Sequence, residues 1–145
     1  MQINHVTNYA IKSMVYLATI GHSVSSQEIA EATAVSRNLL MNILCKLREN
    51  RLITAERGVR GGYSLARPAS ELSLLDIIRC MERTVYINHC LEPDTTSHIK
   101  NDPNFEHIQQ YFERLQAGLE NSLSNMTLDK LIHPDSVWHY PATSV

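Results

Sequence analysis

A chain of 145 residues with a formal net charge of −2 is sized for one domain that can bury its own core. It holds no run of about 18 apolar residues, so no membrane-spanning helix is expected, and Met1-Gln2-Ile3-Asn4-His5 lacks the basic-then-apolar layout of a secretion signal. Three cysteines, Cys45, Cys80 and Cys90, are too few and too scattered for a disulfide framework, and the expectation is a cytoplasmic protein. The small total charge hides a polarised distribution. Between Arg37 and Arg67 stand seven Lys/Arg and two acids, a local net of +5 that leaves −7 for the remainder. A basic segment on an otherwise acidic chain is the footprint of a protein that turns one face to nucleic acid.

In chain order, Ala10, Ile11, Met14, Val15, Leu17 and Ala18 fall at helical spacing and predict an amphipathic helix over 6–20. Ser25 with Glu28 three residues on is a capping-box signature for a short helix, Glu28 to Thr33. Ala34-Val35-Ser36 breaks the pattern, and Ser36 suits the cap of a third helix whose buried stripe is Leu40, Ile43, Leu44 and Leu47. Arg37, Asn38, Met41, Asn42, Cys45 and Glu49 take its other side. This is a helix-turn-helix, in which the second helix sets its N-terminal side chains against base edges. Ile53 and Ala55, then Tyr63 and Leu65, alternate as two half-buried strands, with Arg57-Gly58-Val59-Arg60-Gly61-Gly62 between them. Glycine allows a tight tip and close approach of backbone, and arginines on such a tip suit phosphates or a narrow groove. The hairpin, about 52–67, makes the unit a winged helix. Its expected DNA contacts are Ser36, Arg37, Asn38, Asn42 and Lys46 on the helix and Arg57, Arg60, Gly61 and Gly62 on the wing.

Ser73-x-x-Asp76 opens a further helix with Leu74, Leu75, Ile77, Ile78 and Met81 apolar. Residues 83–101 have no periodicity and form a loop. Asp102-Pro103, a cap followed by proline, is expected to open a long helix. Along it Phe105, Ile108, Phe112, Leu115, Leu119 and Met126 follow the alternating three-and-four spacing of a dimerisation seam, with Gly118 inside. Thr127 to Ile132 suggests a short last helix, and His133 to Val145 a tail. The fold class expected is mostly α with a small β-wing. A DNA-binding unit covers 1–82, a regulatory loop 83–101, and a dimerisation helix with its short successor 102–132; 133–145 is the tail.

Taken together these residues resemble the winged-helix regulators of the IscR/NsrR family. The resemblance is carried by Tyr9-Ala10, Val35-Ser36-Arg37-Asn38, Arg57-Gly58-x-x-Gly61-Gly62-Tyr63-x-Leu65, Pro68-Ala69-Ser70 and Thr127-Leu128-x-x-Leu131. It covers about residues 1–132 and is nearest the NsrR-like branch. It implies a homodimeric transcription factor, a repressor on a two-fold symmetric duplex, responsive to redox state, nitric oxide, iron or a metabolite. Family members with an iron–sulfur cluster carry three cysteines before the dimer helix and a fourth ligand elsewhere. Cys90 matches the first; Thr95, Thr96 and the stretch through Asp102 offer no thiol, and the acidic residue of the first helix is here Asn8. A standard three-cysteine cluster is therefore not expected. A mixed-ligand cluster or metal site through Cys90 with His89 and His98 stays open, as do a redox-active Cys90 in an exposed loop and an inert one. Cys45 and Cys80 are expected as semi-buried packing residues.

Enzyme readings have no support in the sequence: there is no Ser/His/Asp ordering, no phosphate-binding glycine loop and no His-x-x-x-His pair among the seven histidines. The rival from another class is a cluster-free dimeric interaction module, or a regulator controlled by a protein partner.

Overall fold

The computed structural model describes residues 1–93 and 102–132. Residues 94–101 and 133–145 lie outside it, and with them His98 and the C-terminal tail. The elements are α1 (His5–Ile20), α2 (Ser26–Thr33), α3 (Arg37–Glu49), β1 (Ile53–Glu56), β2 (Gly62–Leu65), α4 (Leu74–Met81), α5 (Glu106–Asn125) and α6 (Leu128–Leu131). The fold is mostly helical with one two-stranded antiparallel sheet, as the patterning predicts.

Local chemistry explains most boundaries. Asn4 caps α1 by accepting from the Thr7 amide, and Gly21, at φ 72°, ends it in the left-handed conformation that glycine adopts without strain. Ser25 accepts from the Glu28 amide as its spacing predicts, but α2 begins at Ser26 rather than Glu28. The Glu28 carboxylate meets the Tyr16 hydroxyl at 3.1 Å, which fastens α2 to the buried face of α1. Between α2 and α3 Ala34 sits at φ 55°, and Lys12 Nζ donates to the Thr33 carbonyl at 2.8 Å across the end of α2. A cation on a helix C-terminus opposes the dipole and fills an orphan acceptor.

The core lies where α1, α2, α3 and α4 meet. Leu40, Ile43, Leu44 and Leu47 of α3 are 1% exposed or less, beside Ala10, Met14, Leu17, Ile29 and Ile77. Each such leucine is worth roughly 1.5–3 kcal/mol of burial, so α3 is held by its inner stripe and keeps its outer side for other work. In α4 the Ser73–Asp76 box is complete: the Ser73 hydroxyl accepts from the Asp76 amide and the Asp76 carboxylate from the Ser73 amide at 2.9 Å.

Two long-range closures complete the unit. Glu82, at the end of α4, accepts from the Asn4 amide at 2.9 Å, from Asn4 Nδ2 at 3.1 Å and from the fully buried Thr7 hydroxyl. After α5 the chain returns: the Leu74 amide donates to the Met126 carbonyl, the Leu128 amide to the Leu72 carbonyl, and Leu128 is fully buried. The last helix is thus part of the first core. Asp102-Pro103 opens a turn rather than α5 itself: Asp102 Oδ1 accepts from the Asn104 amide at 2.9 Å, and α5 starts at Glu106. A side chain that satisfies the amide two residues on favours a turn over a helix.

Glu82→Ala removes acceptors from a buried hydroxyl and a backbone amide, and should cost about 1–3 kcal/mol in urea unfolding with an unchanged m-value. An unchanged midpoint would mean that this clasp adds nothing to stability.

Candidate nucleic-acid interface

The outer side of α3 carries Arg37, Asn38, Met41, Asn42, Cys45, Lys46 and Glu49, all exposed. Ser36 occupies the N-cap position, yet its side chain makes no capping hydrogen bond, contrary to the expectation from sequence. The first amides of α3 thus lack that partner, and unpaired helix-start amides attract anionic oxygens. Cys45 is exposed rather than semi-buried; its thiol donates to Glu49 Oε1 at 3.3 Å, one turn further along the same face. Cys80 is half-buried against α3, its thiol 3.5 Å from the Lys46 carbonyl. Burial pushes that thiol up, Lys46 counters and Glu49 adds to the rise, which favours the protonated form.

The wing stands beside this helix. β1 and β2 pair Ile53 with Leu65 and Ala55 with Tyr63. Ala55 is exposed, so the predicted inward alternation fails there, because Ile53 alone of β1 reaches the core. Tyr63 also exchanges both backbone hydrogen bonds with Val24, 3.0 Å and 2.8 Å, which binds the hairpin to the loop after α1. Gly62 makes that approach: it lies at φ 149°, and a Cβ there would run into the Val24 carbonyl. At Gly61 a Cβ would meet the backbone of Glu56, Arg57 and Gly58. Both glycines are thus demanded by the packing of the wing on itself and on the helices. Arg57 and Arg60 project from it, exposed. The structure brings the basic helix face and the basic wing to one fold unit, with the wing anchored through backbone.

A second cluster joins the segment after α4 to α5. Residues His89–Leu91 form a 3-10 turn with Asn88 as its cap, within the stretch that periodicity marked as loop. Cys90 is 8% exposed, so it is not a thiol on an exposed loop. His89 Nδ1 lies 2.8 Å from Glu92 Oε2. Sequence reasoning missed Gln116. This is the buried side chain of α5: its Oε1 accepts from the Ile87 amide at 2.9 Å, and its Nε2 donates to the Val85 carbonyl at 3.2 Å and to Glu120 Oε1 at 2.7 Å. Glu120 in turn accepts from Arg79 of α4 at 2.7 Å. Gln116 lies four residues after Phe112 and three before Leu119, on the same side of α5 as those seam residues, and a polar residue at the edge of an apolar stripe is too common to single it out. The donors near Cys90 do not fit a cluster held by three thiolates: His89 faces Glu92, and among the described residues no three His, Cys, Asp or Glu side chains converge as a metal site requires.

Half of the predicted seam of α5 is uncovered. Ile108, Leu115 and Met126 are 38%, 60% and 44% exposed, while Phe105, Phe112 and Leu119 are half-buried. Among the described residues Gly118 has no atom within 4 Å of a would-be Cβ, so none of them offsets its helix cost of about 1 kcal/mol.

A helix-turn-helix with an attached basic wing defines a DNA-binding transcriptional regulator and not an enzyme. The profile of the Rrf2 family, described as an iron-dependent transcriptional regulator, matches residues 3–134, and the chain belongs to that family. A Mycobacterium tuberculosis protein named as an HTH-type transcriptional regulator is 39% identical over 84 residues, 57% of this chain and 52% of that one. Protein aau3 of Rhizobium meliloti is 38% identical over 93 residues, 63% and 60% of the two chains. The matched region thus spans about half the length of these curated relatives. Among solved structures, the oxidised form of Staphylococcus aureus CymR is 30% identical with a TM-score of 0.67, covering 90% of this chain and 95% of that one. IscR of T. potens is 26% identical with a TM-score of 0.66, covering 90% and 85%. CymR of B. subtilis, the global cysteine regulator, has a TM-score of 0.72 at 23% identity, which bears on the fold alone.

Gly62→Ala should detach the wing from its anchor. Hydrogen exchange at the Val24 and Tyr63 amides should rise about tenfold or more, whereas Gly58→Ala, strained at φ 112° like Gly62 at φ 149° but with open space around its Cβ, should leave those two amides protected. Equal protection in both variants would show that the close approach at Gly62 does not hold the wing.

Proposed function

We propose that the protein is a repressor that binds a two-fold symmetric duplex as a homodimer, with α3 in the major groove and the wing on phosphate or in the adjacent minor groove. The observation that carries this reading is the exposed, basic outer side of α3, continuous in the fold with the anchored basic wing. Ser36, Arg37 and Asn38 lead the helix and read bases, with Asn42 and Lys46 following; Arg57 and Arg60 take phosphate or groove edges, with Gly61 and Gly62 letting the backbone draw close. Arginine suits guanine and asparagine suits adenine through paired hydrogen bonds. Supporting a dimer, the uncovered residues Ile108 and Leu115 lie on one helix with Phe105, Phe112 and Leu119, and Gly118 offers a close approach that its own protomer does not use.

The signal enters, on this reading, at 83–101 around Cys90 and His89, with His98 outside the described residues. The Gln116–Glu120–Arg79 chain supports it, because it links the backbone at 85–87 to α4 of the DNA-binding unit. The input is a thiol, a mixed-ligand cluster or metal site, a metabolite or a protein partner rather than a three-cysteine cluster. Metal and sulfide content of protein purified without oxygen, for wild type and Cys90→Ser, separates these inputs.

Binding to a duplex enriched from a randomised library, followed against salt, tests the division of labour. Arg60→Ala should weaken all sequences and lower the salt slope by about 1, as loss of one phosphate contact does. Arg37→Ala should instead relax preference at one base step; equal loss on every sequence would remove Arg37 from base readout.

Leu115→Asp should give monomers by light scattering, with duplex affinity reduced at least tenfold. A variant that remains dimeric would take α5 out of the interface.

A further inference from the structure

Val59 is the most exposed large apolar residue described, at 107% relative to the reference state. It sits at the corner of a tight turn: the Gly61 amide donates to the Gly58 carbonyl at 3.0 Å, leaving Val59 and Arg60 as the two central residues. The turn cannot fold back over it. Gly61 is pressed against the backbone of Glu56, Arg57 and Gly58, and Gly62 against Val24, so the apex is aimed by main-chain contacts. Solvent alone favours Asn, Asp or Gly at such corners. A β-branched apolar side chain there, stiff at χ1 and flanked by the exposed Arg57 and Arg60, is fully exposed among the described residues.

We propose that Val59 is a specificity-determining residue that selects A·T pairs where the wing meets the minor groove. The inference rests on the duplex-binding reading above and goes beyond it by naming what the tip discriminates. Arginines on both sides of the apex would hold the groove walls and leave the valine methyls facing the floor. An A·T pair presents only acceptors there, whereas G·C adds the guanine 2-amino group, a protruding donor. Valine can neither accept from that donor nor make room for it, and the narrow groove of A·T-rich sequence also suits the arginines. Because Val59 is not buried by any of the described residues, its replacement removes no core packing.

Selection from a randomised duplex library with wild-type and Val59→Ser full-length protein tests this. Wild type should enrich an A·T column flanking the bases read by α3, and Val59→Ser should lose that column while keeping the α3 columns. At that position, duplexes with A·T, G·C and inosine·C should then be compared. Inosine·C keeps the major-groove face of G·C but lacks the 2-amino group. Wild type should bind A·T and inosine·C alike and G·C about tenfold more weakly, and Val59→Ser should bind all three within about twofold. Inosine·C behaving like G·C, or a tenfold preference surviving in Val59→Ser, would overturn the proposal. Enrichment of the α3 columns with no A·T column beside them would overturn Val59 alone. Failure of the wild type to enrich any sequence would overturn the duplex reading, and this proposal with it.

Discussion

The pair of backbone hydrogen bonds between Val24 and Tyr63 governs how the wing is set against the helices. A two-stranded hairpin is marginal by itself in water. Here its second strand is fixed to the loop after α1, and the side chain of Leu65 packs on the core. The approach works only because residue 62 has no Cβ, since Val24's carbonyl occupies that space. Wing and recognition helix are thereby set by the same core rather than by a flexible joint. Positions on the wing tip inherit a direction from main-chain packing, which fixes where Arg57, Val59 and Arg60 stand relative to α3.

The same economy of contacts governs α5. Its described side chains bury little apart from Gln116, which satisfies an amide and a carbonyl of the preceding segment and holds Glu120 toward Arg79. The Arg79–Glu120 pair is partly solvated and worth about 1 kcal/mol or less on its own. A buried amide with its partners in place is costlier to disturb, so the segment through Cys90 and α5 are expected to move together. Past its C-terminal end, Leu128 returns to the first core, so the C-terminal half of α5 is tied twice to the helices that position α3. The exposed Ile108, Tyr111 and Leu115 lie ahead of both ties.

Much of the architecture was legible in the residues. The stripe Leu40, Ile43, Leu44 and Leu47 fixed α3 and its inner side, and all four are buried. The Ser73–Asp76 box and the glycine-rich hairpin marked α4 and the wing with little ambiguity. Legibility failed where spacing alone did not settle a side chain's partner. Ser36 stands at its cap position without bonding the helix, Asp102 satisfies a turn instead of opening α5, and the Glu28 carboxylate reaches Tyr16 on α1. Spacing names the candidate for a cap; the surrounding geometry decides whether it forms.

The sequence by itself determined which residues pair with which period, and hence the helices, the wing, the basic segment and the family, because apolar spacing and turn chemistry are local properties of the chain. Only the tertiary structure decided burial that depends on distant neighbours. Cys90 lies buried within a 3-10 turn, while Cys45 is exposed on the outer side of α3. Gln116 became a hub because residues 85–87 run past it, about thirty positions away in the chain. Gly62 is indispensable for the same reason: what excludes a side chain there is the carbonyl of Val24, a neighbour that no local pattern in the sequence can name.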